Sequence, residues 1–289
     1  MSLSAFAPAK VNLFLHVGGP DADGYHPVAS LMVFADVGDR VAVQPAENFE
    51  FGITGPFGHG LAPSEDNLVV RAARALLARV GGPKPPFRLV LDKQLPIAAG
   101  LGGGSSDAGA TLKLLRQALD LPVQDEILTD VAAELGADGP ACLWARTAIA
   151  QGRGERLSPA PTFRSLDAVL VNPGVPSPTG AVYRAYDEAV APEGADLPPL
   201  PERFESAEEA AAFLAYCRND LEAPAVRLEP RIGEALDLIR GEPETLLGRM
   251  SGSGATCFAL CAGDIEAEGL AERLQVMRPD WWVRRCRLG

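Results

Sequence analysis

Residues 96–107 read PIAAGLGGGSSD, with four glycines and two serines in twelve positions. The stretch lies between FRLVL (87–91), which reads as a strand, and AGATLKLLRQAL (108–119), which reads as a helix. Glycine loses more conformational freedom on folding than any other residue, so a cluster at such a junction needs a reason. The first amides of a helix lack partners within it and point outward, and the helix dipole adds partial positive charge there. Without Cβ atoms the backbone can close on phosphate oxygens. The junction therefore reads as an anion site. Ser105 and Ser106 add hydroxyls placed to cap the helix or to reach a metal ion.

Three familiar phosphate loops do not fit. A Walker A loop ends in Gly-Lys followed by Ser or Thr, and this chain has no Gly-Lys pair. A dinucleotide loop needs GxGxxG, whereas the run from Gly100 has Ser105 in the last place and follows a β-rich start. The protein-kinase loop would need HRD and DFG partners, which are missing.

The rest of the composition narrows the setting. With 26 Lys+Arg against 38 Asp+Glu, the net charge is −12, so no general nucleic-acid surface is expected. An anionic ligand must then be held locally, by amides, a metal or a few cations. The five cysteines show no CxxC spacing and the three histidines, His16, His26 and His59, are scattered, which excludes a zinc motif or a disulfide framework. No signal peptide or membrane-spanning run is visible, so the expected place is the cytoplasm, with no membrane partner.

Along the chain, strands are expected at 11–17, 40–45, 49–54, 87–91, 147–151, 167–172, 257–262 and 281–288. Helices are expected near 66–80, 108–119, 124–135, 180–190, 206–217, 230–240 and 265–276. Gly136 and Pro140 are read as ending the helix at 124–135, and 191–202 as an acidic, proline-rich surface loop. Mixed elements without strict βαβ alternation point to an α+β fold.

PIAAGLGGGSSDAGA resembles the central phosphate motif of the GHMP kinases, the small-molecule kinases named for galactose, homoserine, mevalonate and phosphomevalonate. PAKVNLFLHV (8–17) and MSGSGATCFAL (250–260) are similar to the motifs that flank it in that family. ADGYH (22–26), LGADGP (135–140), NPG (172–174) and SGSGA (251–255) extend the resemblance to the branch acting on a cytidine-diphosphate-linked methylerythritol. It implies a two-lobed fold with the active site in the cleft between lobes. The expected boundaries are 1–152 for the N-terminal lobe and 153–289 for the C-terminal lobe.

The implied reaction moves the γ-phosphoryl of ATP to the substrate's 2-hydroxyl, giving the 2-phosphate and ADP in non-mevalonate isoprenoid precursor synthesis. The resemblance implies that Pro96, Ile97, Ala98, Ala99, Gly100, Leu101, Gly102, Gly103, Gly104, Ser105 and Ser106 cradle ATP, with Ser106 on Mg²⁺. It gives Asp138 the part of general base, with Lys10 beside it offsetting charge. Asn12 would hold a substrate hydroxyl, Thr179 would touch the erythritol or diphosphate, and Tyr25, His26 and Tyr183 would meet the cytidine end. A monomer or homodimer is expected. The chain departs from the family pattern after Asp138, where Gly139 and Ala141 are smaller than usual and would leave that aspartate more loosely held.

Overall fold

The two strands that open the chain, β1 (Leu3–Val17) and β2 (Val28–Pro45), pair with each other. The computed structural model describes residues 3–81, 85–189 and 194–289. It divides into two units, one of Met1–Ala9, Gly38–Ile97 and Gly102–Ala145, the other of Lys10–Val37, Ala98–Leu101 and Arg146–Gly289. Residues 190–193, at the end of the expected helix and the start of the expected acidic loop, lie outside the described residues.

β2 starts well before the strand expected at 40–45. Its first eight residues, VASLMVFA, are all buried, so both faces are apolar and the alternation that marks a half-exposed strand is absent. In the first unit, the later half of β2 runs antiparallel to β4 (Phe87–Asp92), from Arg40↔Asp92 to Pro45↔Phe87. β3 (Glu50–Thr54) runs parallel to β4. Helices α1 (Leu68–Val80), α2 (Gly103–Ala118), α3 (Asp125–Leu135) and α4 (Gly139–Trp144) complete the unit. Asn67 caps α1, its side chain accepting from the Val69 amide at 3.0 Å. The expected apolar face of α1 is buried at Val69, Val70, Ala73 and Leu76, packed with Leu89 and Leu91 of β4 and Leu112 and Leu115 of α2.

Pro140 begins α4 as well as preventing the continuation of α3, because a helix's first turn has no use for the missing N–H. α2 likewise starts five residues earlier than its sequence suggests, at Gly103. Glycine's low helix propensity hides this start. A Cβ on Gly103 would lie 3.1 Å from Lys93 Nζ, and one on Gly104 would lie 2.9 Å from Leu68 Cδ1, so both glycines lie close against neighbouring side chains.

In the second unit, the first part of β2 is antiparallel to β5 (Ala148–Gly152), which forms a hairpin with β6 (Arg156–Pro159). β7 (Leu166–Asn172) lies between β9 (Cys257–Cys261) and β10 (Trp282–Leu288), antiparallel to both. β8 (Thr245–Met250) pairs antiparallel with β9. Helices α5 (Thr179–Ala189), α6 (Ala207–Ala215), α7 (Glu222–Leu228), α8 (Pro230–Gly241) and α9 (Asp264–Met277) surround these strands. α7 escaped the sequence reading because Pro224 interrupts a short segment; it falls in the first turn, where proline is tolerated. With mostly antiparallel strands and helices in both units, the fold is α+β, as the sequence indicates.

Candidate active site

The glycine loop turns through left-handed backbone at every second residue: φ is 50° at Ala98, 73° at Gly100 and 60° at Gly102. Glycine adopts such angles without the Cβ strain that an L side chain meets. Gly102 holds the N-cap position of α2, and among the described residues no side chain caps this helix. The serines therefore do not cap, as the sequence suggested they could. Ser105 sits within the first turn, whose amides have no partner inside the helix, whereas the Ser106 amide already donates to Gly102 O at 2.9 Å.

The two hydroxyls have separate fates. Ser105 Oγ donates to Asp138 Oδ1 at 2.7 Å. Ser106 Oγ is buried without a hydrogen-bond partner among the described residues. Asp138 stands at the N-cap of α4, but its carboxylate does not cap it. A solvated aspartate at a helix end is the ordinary fate of this residue type; here the carboxylate is turned onto the first turn of α2 instead. The small residues after it are closely packed. A Cβ on Gly139 would lie 2.0 Å from the Ala132 carbonyl oxygen, so glycine lets α4 press against α3. Gly139, Pro140, Ala141, Cys142 and Leu143 are all buried.

Ala98–Leu101 belong to the second unit, where the SGSGA turn braces them. Ser251 Oγ donates to Gly100 O at 2.9 Å, and the Thr256 amide donates to Ala99 O at 3.1 Å. A Cβ on Gly100 would lie 2.2 Å from Ser251 O. The third motif is thus a buttress under the crest of the loop. Ile97 and Ala98 are exposed, whereas Ala99 and Leu101 are buried.

Lys10 also lies in the second unit, its amide bonded to Leu101 O at 2.8 Å. Its Nζ donates to Asn12 Oδ1 at 2.8 Å, and Asn12 Nδ2 donates to Ser30 Oγ at 2.7 Å. Residues 10 and 12 share one face of β1, so strand periodicity creates this contact. Both side chains are buried.

The residues expected at the cytidine end gather in the same unit. His26 Nδ1 lies 2.9 Å from Gly18 O. A carbonyl only accepts, so Nδ1 carries the proton, and Nε2 faces Asp187 Oδ1 at 3.4 Å. The His26 and Tyr183 rings are 4.9 Å apart between centroids. Burial, with Tyr186 nearby, pushes the Tyr183 hydroxyl up to about 12, so it stays neutral. Tyr25 is 57% exposed, and the Arg153 guanidinium stands 4.1 Å from its ring centroid. Thr179 Oγ1 is 2.9 Å from Ser253 Oγ, at the edge of the SGSGA turn.

Sequence reasoning missed a buried charge cluster at the base of the loop, formed by Asp39, Lys93 and Asp107. The one available signal was the rarity of lysine, four in the chain, with Lys93 three residues before Pro96. Burial pushes the Asp107 carboxyl upward, the Asp39 charge adds to this and Lys93 opposes it. Burial opposes the Lys93 charge, but Asp107 and Asp39 outweigh it and hold its pKa above the ordinary value.

Known proteins share both the motifs and the fold. The family described as GHMP kinases N terminal domain matches residues 67–146, and that described as GHMP kinases C terminal matches residues 202–277. The 4-diphosphocytidyl-2-C-methyl-D-erythritol kinase of Caulobacter vibrioides (strain NA1000 / CB15N) is 73% identical over 289 residues, 100% of each chain. A crystal structure of 4-(cytidine 5'-diphospho)-2C-methyl-D-erythritol kinase matches with a TM-score of 0.80 and 37% identity, covering 99% of each chain. A homoserine kinase from Cytophaga hutchinsonii shares the fold alone, with a TM-score of 0.69 at 18% identity over 98% of this chain and 94% of its own.

Proposed function

The chain belongs to the 4-diphosphocytidyl-2-C-methyl-D-erythritol kinases within the GHMP kinases, and we propose that it transfers the γ-phosphoryl of ATP to the 2-hydroxyl of that substrate. The products are the 2-phosphate and ADP, in the non-mevalonate route to isoprenoid precursors. The observation that carries the site assignment is the hydrogen bond from Ser105 in the phosphate helix to Asp138.

Phosphoryl transfer passes through a loose transition state, so the protein's work is positioning and charge stabilisation. The Pro96–Ser106 loop presents amides and the positive end of α2 to the ATP phosphates. Asp138 orients the 2-hydroxyl and takes its proton late, since an aspartate is a weak base. Lys10, held by Asn12, offsets the negative charge that develops. Asn12 also holds a substrate hydroxyl, and Thr179 serves the erythritol or diphosphate. Tyr25, His26 and Tyr183 receive the cytidine, where aromatic rings suit a base of either face.

Mg²⁺ fits the donor set. The unpartnered, buried Ser106 hydroxyl is a hard oxygen ligand, and Mg²⁺ needs few protein ligands beside phosphates and water. No group of three or more His, Cys, Asp or Glu side chains suited to a metal exists among the described residues. When bound there, Mg²⁺ would neutralise phosphate charge.

No helix among the described residues is long and apolar enough to cross a membrane. Five buried cysteines that form no disulfide suit the reducing, ATP-supplied cytoplasm, where we place the reaction.

The test is ADP release with Mg²⁺-ATP and, in turn, the cytidylated methylerythritol, mevalonate and homoserine. Turnover with the first alone is expected. Turnover with another acceptor would overturn the substrate, and ATP binding without turnover would overturn the kinase reading.

A further inference from the structure

Lys93 is only 4% exposed, and its partners Asp39 and Asp107 are buried as well. Its Nζ lies 2.5 Å from Asp39 Oδ2 and 2.8 Å from Asp107 Oδ2. Two carboxylates share one ammonium, and Asp107 Oδ1 has no hydrogen-bond partner among the described residues. A buried ion cluster is a poor source of stability, since apolar residues of similar volume often serve as well or better. Its position suggests another use.

Asp39 Oδ1 accepts from the amides of Gln94 at 2.6 Å and Leu95 at 2.8 Å, the last residues before the glycine loop. Lys93 itself is fixed by its backbone, its amide bonded to Thr54 O at 2.9 Å and its carbonyl accepting from Phe57 at 3.1 Å. Asp107 lies one turn inside α2, just past the loop's last residue. The bare Cα of Gly103 lets the first turn of α2 settle over the ammonium, where an added Cβ would stand 3.1 Å from Nζ. Both ends of a glycine-rich, entropically costly segment are therefore pinned to one carboxylate–ammonium–carboxylate bridge.

We propose that Asp39, Lys93 and Asp107 form a clasp that holds the ends of the glycine loop in its phosphate-accepting arrangement, making them positioning residues for nucleotide binding. This rests on the kinase reading above. Amide donors favour a phosphate only when their geometry is set beforehand; a loop that must order on binding loses affinity by the same amount. The hydrogen bonds of the clasp run among its own side chains and to the backbone of Gln94 and Leu95, which lead into the loop, so its effect falls on ATP.

Asp107→Ala tests this. It severs the bridge on the helix side and leaves the neutral Lys93–Asp39 pair in place, so folding is kept. Electrostatics alone predicts tighter ATP binding once a carboxylate near the phosphates is gone. Positioning predicts the opposite sign. The expected result is a rise of about tenfold or more in both the KM and the equilibrium Kd for ATP, with acceptor KM within about twofold and kcat within about threefold. Asp107→Asn, which restores an acceptor for Lys93 Nζ, should recover most of the ATP affinity. Amide hydrogen exchange in residues 93–107 should quicken in the alanine variant while α1 stays protected.

An ATP Kd unchanged or lowered in folded Asp107→Ala would overturn the clasp. So would a loss shared equally by ATP, acceptor and thermal stability, which is the mark of general destabilisation. ATP affinity and exchange are read without acceptor, so a wild-type protein that binds ATP but fails to turn over would count against the kinase reading and leave the clasp test intact.

Discussion

Ser105 Oγ donates to Asp138 Oδ1 at 2.7 Å, joining the first turn of α2 to the start of α4. The bond fixes the carboxylate beside the first turn of α2, where the proposed reaction brings the acceptor hydroxyl. With Asp138 as the proposed base, Asp138→Asn, which keeps the shape, should lower kcat by about 10²- to 10⁴-fold. Ser105→Ala removes one hydrogen bond to a charged group, and kcat should fall by about tenfold with the protein still folded. Steady-state ADP release reads both. Full kcat in Asp138→Asn would remove that residue from the chemistry.

Much of this was legible because the backbone dictates residue type locally. The glycine loop announces itself, since only glycine suits the φ of 73° at Gly100 with Ser251 O so near. The 3.6-residue period of α1 maps directly onto its buried face. The early half of β2 was hidden because burial on both faces erases alternation. The clasp was hidden for a different reason: residues 39, 93 and 107 meet only in three dimensions, and an ion pair between distant positions leaves no periodic trace. The contact of Asp138 with Ser105 depended on where its side chain turns, which sequence spacing does not encode.

Asn12 binds Lys10 Nζ through Oδ1 and Ser30 Oγ through Nδ2, and Ser30 in turn donates to Phe14 O at 2.6 Å. This chain fixes the ammonium in a buried setting. Asn12→Ala should lower kcat by about tenfold, because a loosened cation stabilises the transition state less well. Acceptor KM should rise as well if Asn12 also holds a substrate hydroxyl. A variant with normal kcat and a raised KM alone would limit Asn12 to substrate binding and free Lys10 from its control.

Gly139 carries no side chain because the Ala132 backbone occupies that space, with the carbonyl oxygen 2.0 Å from an added Cβ. Gly139→Ala must push α4 away from α3, an overpacking that destabilises by about 1–3 kcal/mol. Since Asp138 is the adjacent residue, kcat should fall along with the unfolding midpoint. Urea unfolding and ADP release on the same preparation check this. Unchanged stability would mean that α4 can shift freely and that its contact with α3 does not hold Asp138.

His16 supplies a pH dependence of stability. It is 5% exposed; Nδ1 lies 2.8 Å from Asp196 O, and Nε2 accepts from the Arg218 amide at 3.2 Å. Both nitrogens are satisfied by the neutral ring, and a proton on Nε2 would displace the Arg218 amide. Burial lowers the pKa below the ordinary 6.5; the Asp196 bond and Asp220 oppose this, while Arg218 and Arg249 add to it. The unfolded chain therefore takes up this proton more readily. The contribution of His16 is fully present above about pH 6.5 and is lost as the pH falls through its lowered folded value. Asp107 runs the other way: burial raises it to about 7, so its contribution is present in acid and declines as the pH rises towards that value. Comparison with His16→Asn cancels the Asp107 effect, because the amide keeps a donor for Asp196 O and cannot charge. Urea unfolding between pH 8 and pH 5 should show a steeper acid loss in the wild type than in this variant. Parallel curves would mean that His16 titrates alike in both states and that its buried bonds do not depend on the neutral ring.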